Sequence, residues 1–181
     1  MSALRILGAV LAGGRSSRFG SDKALAQLEG QPLIDHVVAA LQPQVDEVVI
    51  CGRDHPGQRS IADRPGPDLG PLGGLNAALH HAVEQGFDLV LTAGCDMPGY
   101  RPNVAATLAG HAPAVLIGQQ LVGLWPAALA PRLDAFLATS PDRSIRAWMR
   151  AAGAREVPFA GIIANINTPD DLRRLSHEVR P

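Results

Sequence analysis

The chain has 181 residues, of which 46% are hydrophobic and 18% charged, and its formal net charge is −1. This composition excludes an intrinsically disordered chain. The near-zero charge argues against a nucleic acid or an anionic membrane as partner, because both are held by bulk electrostatics. The length predicts one domain over residues 1–181. The expected location is the cytoplasm, because the apolar N-terminus is too short for a membrane span and lacks the features of a signal peptide.

Strand and helix signals alternate along the chain. Continuous apolar or β-branched runs predict buried strands, and apolar residues at helical spacing predict the helices between them. Strands are predicted at 4–11, 45–51, 61–63, 87–92, 113–118 and 165–168. Helices are predicted at 32–41, 75–85, beyond 102 to 110, 131–138, 144–152 and, after a capping box of Thr168 and Asp171, up to 179. This alternation predicts an α/β fold with a doubly wound, mostly parallel sheet.

A glycine-rich, cationic loop follows the first predicted strand. It begins with two adjacent glycines, Gly13 and Gly14, and carries three cations, Arg15, Arg18 and Lys23. Free backbone N–H groups at a strand end, with cations nearby, suit a triphosphate. The spacing matches neither a Walker A loop nor a dinucleotide-binding fingerprint. The alternative is a surface turn with solvated cations, but a buried strand followed by paired glycines and three cations favours a nucleotide.

Two aspartates follow predicted strands and therefore belong at the ligand-binding edge of a parallel sheet. Asp96 comes after the strand at 87–92 and is the best metal candidate, because Mg²⁺ needs few carboxylates besides phosphate oxygens and water. Its alternative role is to cap a turn. Asp63 can accept hydrogen bonds from ribose hydroxyls or guanine N–H groups, or it can form an Asx-turn. Cys51 and Cys95 are interpreted as buried thiols at strand ends, not as a disulfide or metal pair.

Several motifs resemble those of a known enzyme group. The segments 11–23 (LAGGRSSRFGSDK), 70–74 (GPLGG) and 95–98 (CDMP) resemble the signatures of nucleotidyltransferases with a Rossmann-like fold. The segments 165–172 (NINTPDDL), 124–126 (LWP) and 143–145 (RSI) resemble those of the molybdenum cofactor guanylyltransferases. The motifs run in order along nearly the whole chain. The resemblance therefore implies a single-domain, three-layer Rossmann-like nucleotidyltransferase fold with a mostly parallel sheet.

The resemblance also implies a reaction and its residues. GMP would pass from GTP to the terminal phosphate of molybdopterin-bound molybdenum cofactor, with release of pyrophosphate and with Mg²⁺ as cofactor. The implied nucleotide-binding residues are Leu11, Ala12, Gly13, Gly14, Lys23, Asp63 and Asp96. The implied catalytic residues are Arg18, Lys23 and Asp96, of which Asp96 holds the metal, and the implied acceptor-binding residues are Asn165 and Asn167. Transient contact with proteins that handle the molybdenum cofactor is also implied.

Two rival functions stay open at this point. A related nucleotidyltransferase would use another nucleotide or acceptor, as cytidylyl and sugar-phosphate transferases do, and a non-catalytic regulator would bind the nucleotide without transferring it. The Asn-x-Asn-Thr-Pro element argues against the first, and the presence of both Lys23 and Asp96 argues against the second. Asn165 and Asn167 would share one face of an extended segment and could bind pterin, or they could brace the following helix.

Overall fold

A computed structural model describes residues 4–13, 23–99 and 103–160, together with Ile166, Thr168, Asp170, Asp171 and Arg174. The strands are β1 (Ile6–Leu11), β2 (Gln27–Leu28), β3 (Gln31–Pro32), β4 (Glu47–Cys51), β5 (Arg59–Ile61), β6 (Leu89–Gly94), β7 (Ala114–Leu116), β8 (Gln119–Pro126) and β9 (Arg155–Val157). The helices are α1 (Leu33–Leu41), α2 (Pro71–Gln85), α3 (Val104–Ala109), α4 (Ala130–Thr139) and α5 (Ile145–Ala152). Among the helices described, none has both the length and the apolarity that crossing a membrane requires.

Seven of these strands form one sheet in the order β5-β4-β1-β6-β8-β7-β9. β1 pairs in parallel with β4 and with β6, and β5 extends the parallel half beyond β4. β8 runs antiparallel to both β6 and β7, whereas β9 pairs in parallel with β7. The mostly parallel sheet predicted from the sequence is confirmed, with one antiparallel strand inserted between β6 and β7.

Helices cover both faces of this sheet, which accounts for its continuous apolar strands. α1 and α3 pack on one face, where Ile34, Val37 and Leu108 belong to a large buried cluster. α2, α4 and α5 pack on the other face, around Leu75 and Trp148. Every residue of β6 is buried, as expected for a strand covered on both sides. The three-layer α/β architecture implied by the resemblance is confirmed.

Helix α2 begins at Pro71, whereas the sequence pattern predicts a loop over 64–74 and a helix only from 75. Proline is favourable in a first helical turn, where its missing N–H is not needed. Gly73 and Gly74 lie inside this helix because it approaches the sheet closely there. A Cβ atom on Gly74 would lie only 3.0 Å from the Cβ of Cys51. The predicted start was therefore wrong because these glycines serve close packing, not a flexible loop.

The structure also contains strands that the sequence pattern does not predict. The predicted strand at 113–118 ends at Leu116, and the chain turns through Ile117 and Gly118 into β8. The turn needs a positive backbone angle, and Gly118 supplies it with φ 76°. The short hairpin β2–β3 and the strand β9 are likewise unpredicted, and the strand predicted at 61–63 is β5, which ends at Ile61.

The predicted capping box near the C-terminus is confirmed. Thr168 donates its backbone N–H to Oδ2 of Asp171 (2.8 Å), and Asp171 donates its backbone N–H to Oγ1 of Thr168 (3.2 Å). These reciprocal bonds satisfy donors at a helix start that have no partner within the helix. The strand predicted at 165–168 is not confirmed at its two described residues, Ile166 and Thr168, because neither lies in a strand. Its other residues and most of the helix predicted up to 179 lie outside the described residues.

Candidate active site

The segments that follow β1, β4 and β6 meet at one edge of the sheet. Ala12 donates its backbone N–H to the carbonyl of Cys51 (3.0 Å), and Cys95 donates to the carbonyl of Leu11 (3.3 Å). The strand order reverses here, because β4 and β5 lie on one side of β1 and β6 lies on the other. Open α/β sheets bind their ligands at such a reversal. Leu11, Ala12 and Gly13, which the resemblance implies are nucleotide-binding residues, lie at this position.

Asp63 follows β5, and its carboxylate packs against glycine backbone at this edge. A Cβ atom on Gly13 would lie 2.5 Å from Oδ2 of Asp63, and one on Gly52 would lie 2.8 Å from Oδ1. In the first turn of α2, a Cβ on Gly73 would lie 3.2 Å from Oδ2 and one on Gly74 would lie 3.5 Å from Oδ1. A side chain at Gly13 or Gly52 would displace the carboxylate, so glycine at these positions creates the space that Asp63 occupies.

The carboxylate of Asp63 is incompletely hydrogen-bonded. Its Oδ1 is buried and has no hydrogen-bond partner in the described part of the chain. Burial raises the pKa of Asp63 above its ordinary value. An Asx-turn is excluded, because it would need the N–H of the residue two positions on, which is Pro65. A ligand with N–H or O–H donors would satisfy this buried acceptor.

Asp63 also lines a pocket of about 300 Å³ beside the end of β4, a volume at the small end of ligand-binding sites. The other lining residues are Gly52, Arg53, Asp54, Ile61, Ala62 and Pro67. Arg53 and Asp54 were not predicted as site residues. They come directly after β4, so their position at a strand end was a usable signal, but no motif or glycine cluster pointed to them. The pocket thus presents charged groups of both signs next to the partly buried side chain of Asp63.

Asp96 lies on the opposite side of β1, just after the end of β6. Its side chain is partly exposed at the edge of the sheet, and its Oδ1 sits against Gly94, where a Cβ atom would lie 2.7 Å away. Among the described residues, no group of three or more His, Cys, Asp or Glu is arranged to hold a metal. A single carboxylate at the edge of the sheet nevertheless fits Mg²⁺, because this ion takes one or two protein carboxylates and completes its coordination with phosphate oxygens and water.

The remaining predicted site residues are Gly14, Arg18, Lys23, Asn165 and Asn167. Gly14, Arg18, Asn165 and Asn167 lie outside the described residues. Lys23 opens a short 3₁₀ turn that ends at Leu25, and only its backbone is described. The structure therefore brings together Leu11, Ala12, Gly13 and Asp63 near the end of β1, with Asp96 after the adjacent strand β6.

Comparison with known proteins identifies the family. The family model described as MobA-like NTP transferase domain matches residues 8–157. The chain belongs to this family. A molybdenum cofactor guanylyltransferase of Rhodobacter capsulatus is 37% identical over 190 aligned positions, which cover 98% of each chain. Another, of Sinorhizobium fredii, is 35% identical over 90% of this chain and 87% of the relative. The crystal structure of molybdopterin-guanine dinucleotide biosynthesis protein A of Archaeoglobus fulgidus matches with TM-score 0.77 and 26% identity, over 95% of this chain and 97% of that one.

Two of the sequence motifs have structural roles in this MobA-like NTP transferase. Trp125, of the motif at 124–126, is fully buried and donates its indole N–H to Oγ1 of Thr92 (3.2 Å). Ser144, of the motif at 143–145, accepts a hydrogen bond from the N–H of Ala147 (3.2 Å) and so caps the start of α5. Neither residue lines the pocket beside Asp63.

Neither cysteine of this MobA-like NTP transferase is in a disulfide. Cys51 is fully buried at the end of β4. Burial and, to a smaller extent, the nearby charge of Asp63 raise the pKa of Cys51 far above its ordinary value. Cys51 is therefore protonated at neutral pH and cannot act as a thiolate nucleophile. Cys95 is only partly buried, so the prediction of a buried thiol holds fully for Cys51 alone.

Proposed function

We propose that this MobA-like NTP transferase moves GMP from GTP to the terminal phosphate of molybdopterin-bound molybdenum cofactor and releases pyrophosphate. The names of the curated relatives suggest this reaction. The observation that carries the proposal is the placement of two carboxylates on either side of the end of β1. Asp63 is a buried acceptor beside a pocket, and Asp96 is a partly exposed carboxylate after β6.

The base of GTP is assigned to the pocket beside Asp63. Guanine carries adjacent N1–H and N2–H donors, and adenine and cytosine offer no such pair, so an ionised carboxylate that lacks a partner selects guanine. Oδ1 of Asp63 is such an acceptor. A hydrogen bond from a neutral donor to a charged group contributes roughly 1.5–3 kcal/mol, or about ten- to a hundredfold in affinity. Inosine triphosphate lacks the 2-amino group and is the matched probe of this contact.

The triphosphate would extend from this pocket across the end of β1. The backbone of Leu11–Gly14 is assigned to the nucleotide. The N–H groups of Gly13 and Gly14 and the cations Arg18 and Lys23 are assigned to its phosphates, where they offset the charge that develops in transfer. The attacking oxygen belongs to a phosphate that is already anionic, so neither a general base nor a protein nucleophile is required. The protonated thiol of Cys51 is consistent with this direct displacement.

Asp96 is assigned to the divalent metal, with Mg²⁺ as the proposed ion. Carboxylate oxygens are ligands of the type that Mg²⁺ prefers. The side chain of Asp96 is partly exposed at the edge of the sheet, which leaves room for phosphate oxygens. When bound, the ion would neutralise phosphate charge during transfer. Asn165 and Asn167 are assigned to the pterin of the acceptor. The backbone carbonyl of Asp96 accepts a hydrogen bond from Ile166 (3.0 Å), the residue between them in the chain.

Pyrophosphate release tests the proposal directly. The protein is incubated with molybdopterin-loaded acceptor, Mg²⁺ and each of GTP, ITP, ATP, CTP and UTP. We expect release with GTP, a ten- to hundredfold lower kcat/KM with ITP, following the energy of one charge-assisted hydrogen bond, and little with the others. Preference for CTP would instead indicate a cytidylyltransferase. GTP binding without any release would indicate a regulator, and either result would refute guanylyl transfer.

A variant of Asp96 tests the assignment of the metal to this residue. Asp96→Asn keeps the size of the side chain but removes the charge, and Mg²⁺ binds a neutral amide poorly. We expect transfer to fall by at least a hundredfold, while the circular dichroism spectrum and the affinity for metal-free GTP stay near wild type. Wild-type activity of Asp96→Asn at saturating Mg²⁺ would contradict the assignment.

A further inference from the structure

Ile166 contacts two parts of the chain that are far apart in the sequence, one of which carries Asp96. Its backbone N–H donates to the carbonyl oxygen of Asp96 at 3.0 Å. Its side chain is 2% exposed and packs with Leu28 and Leu33 in a small apolar cluster, to which Ala26 adds a partly buried contact. This cluster is separate from the two large clusters on the faces of the sheet. Ile166 therefore has one attachment to the Asp96 turn and one to the segment around Leu28.

The segment on which Ile166 packs is itself well anchored. Leu28 belongs to the hairpin β2–β3, and Leu33 begins α1. The N–H of Leu33 donates to the carbonyl of Ala26 (2.9 Å), and Nε2 of His36 lies 2.8 Å from the carbonyl oxygen of Leu28. These bonds tie the hairpin to the start of α1, whose residues pack in the core. An apolar side chain held there fixes the backbone to which it belongs.

We infer that Ile166 is a positioning residue for Asp96. Its buried side chain holds its backbone N–H against the Asp96 carbonyl and so restricts the turn that carries the metal-binding carboxylate. This inference rests on the proposed role of Asp96. The bond acts on the backbone of Asp96 and not on its carboxylate, because the acceptor is the carbonyl oxygen. Losing the apolar anchor would therefore loosen the carboxylate without removing it.

Direct metal binding is the decisive measurement. Mn²⁺ affinity is measured by water-proton relaxation and by calorimetry, in the presence of GTP, for wild type, Asp96→Asn, Ile166→Ala and Ile166→Val. We expect Ile166→Ala to bind Mn²⁺ about five- to tenfold more weakly, since roughly one backbone hydrogen bond's contribution to positioning is lost. Ile166→Val keeps a branched apolar side chain and should bind within twofold of wild type.

Two further variants separate positioning from general loss of stability. Leu28→Ala removes the contact from the hairpin side, does not touch Asp96, and should weaken Mn²⁺ binding in the same way, with a non-additive effect in the double variant with Ile166→Ala. Leu137→Ala is the matched control, because Leu137 is also buried (3% exposed) but lies in α4 on the opposite face. It should lower the midpoint of urea unfolding and leave Mn²⁺ affinity unchanged.

The outcomes are distinguishable. If Asp96→Asn does not weaken Mn²⁺ binding, the proposed metal role of Asp96 fails and the inference falls with it. If Asp96→Asn weakens Mn²⁺ binding but Ile166→Ala and Leu28→Ala do not, only the positioning role of Ile166 is overturned. An equal loss in Leu137→Ala would also overturn it, because the effect would then follow stability. Should Ile166→Ala fail to fold, Leu28→Ala alone decides between these results.

Discussion

Replacing Asp63 by asparagine should stabilise the free protein while weakening its binding of GTP. The substitution keeps the shape that the surrounding glycine backbone accommodates and removes the charge. Oδ1 of Asp63 is buried without a partner among the described residues, and burial raises the pKa of the group. A buried polar atom without a partner destabilises by roughly 1–3 kcal/mol, and a charged one by more. Because the amide still leaves some polar atoms unpaired, we expect a gain of about 1–2 kcal/mol in the free energy of unfolding.

The gain should depend on pH with a definite sign. Because the pKa of Asp63 is raised in the folded protein, the folded state binds more protons than the unfolded state between the ordinary value, about 3.9, and the raised value. Wild-type stability attributable to this group therefore increases as pH falls through that window. The advantage of Asp63→Asn is largest above the raised pKa and disappears at or below the ordinary one.

Urea unfolding of both proteins between pH 8 and pH 4 measures this difference in the free energy of unfolding, and thermal unfolding measures the difference in Tm. At neutral pH the expected shift in Tm is about 2–8 °C, because 1 kcal/mol corresponds to roughly 2–4 °C for a domain of this size. Asp54→Asn is the control, since Asp54 is exposed beside the same pocket and should change stability by no more than about 0.5 kcal/mol. GTP titration should give about ten- to a hundredfold weaker binding for Asp63→Asn. A less stable variant, or a difference that does not change with pH, would refute the reasoning.

Three further predictions follow from other contacts. Gly13→Ala places a Cβ 2.5 Å from Oδ2 of Asp63 and should weaken GTP binding at least tenfold by calorimetry; unchanged affinity would show that the carboxylate can move freely. Thr92→Val removes the acceptor of the Trp125 indole N–H and the partner of two backbone groups, and should lower the unfolding free energy by about 1–3 kcal/mol without changing GTP affinity. Cys51 should react with a thiol reagent at pH 8 only after unfolding; rapid modification of Cys51 in the folded protein would contradict its burial and raised pKa.

The alternation of strands and helices was predictable because the strands are apolar along their whole length. β1 and β6 are buried on both faces, so their sequences read as continuous apolar runs. The start of α2 could not be read in the same way, since Pro71, Gly73 and Gly74 are residues typical of loops. Their role depends on Cys51 and Asp63, which approach from other parts of the chain. Local pattern carries no information about such contacts.

β8 shows a second limit of local pattern. Its first three residues, Gln119–Leu121, are only partly buried, whereas the following residues through Trp125 are buried, so no single periodicity runs through it. The strand is held by pairing with β6 on one side and β7 on the other. The shift of register between Val115 and Leu116 also depends on this pairing. Hydrogen bonds to β6 and β7, and not a local preference for strand structure, therefore determine the position of the antiparallel strand β8.

The candidate site could likewise be predicted from the sequence only in part. Asp63 and Asp96 could be proposed from the sequence because both follow predicted strands, and strand ends converge in a parallel sheet. Arg53 also follows a predicted strand, but no motif or glycine cluster distinguishes it, and Ile166 appears in the sequence only as the apolar residue between two asparagines. Its contact with the Asp96 carbonyl joins residues 70 positions apart and is visible only in three dimensions.

The arrangement around β1 explains why glycine is needed beside Asp63. β5 is separated from β1 by β4, so the carboxylate of Asp63 must pass the end of β4 to reach Gly13. Gly52 makes this possible: its φ is 82°, and a Cβ there would lie 2.5 Å from the Cα of Gly13. Any side chain at that position would be strained and would separate the two loops. Under the proposed function, Gly52 therefore helps determine where the guanine base binds relative to Asp96, because it lets the Asp63 carboxylate approach the end of the central strand.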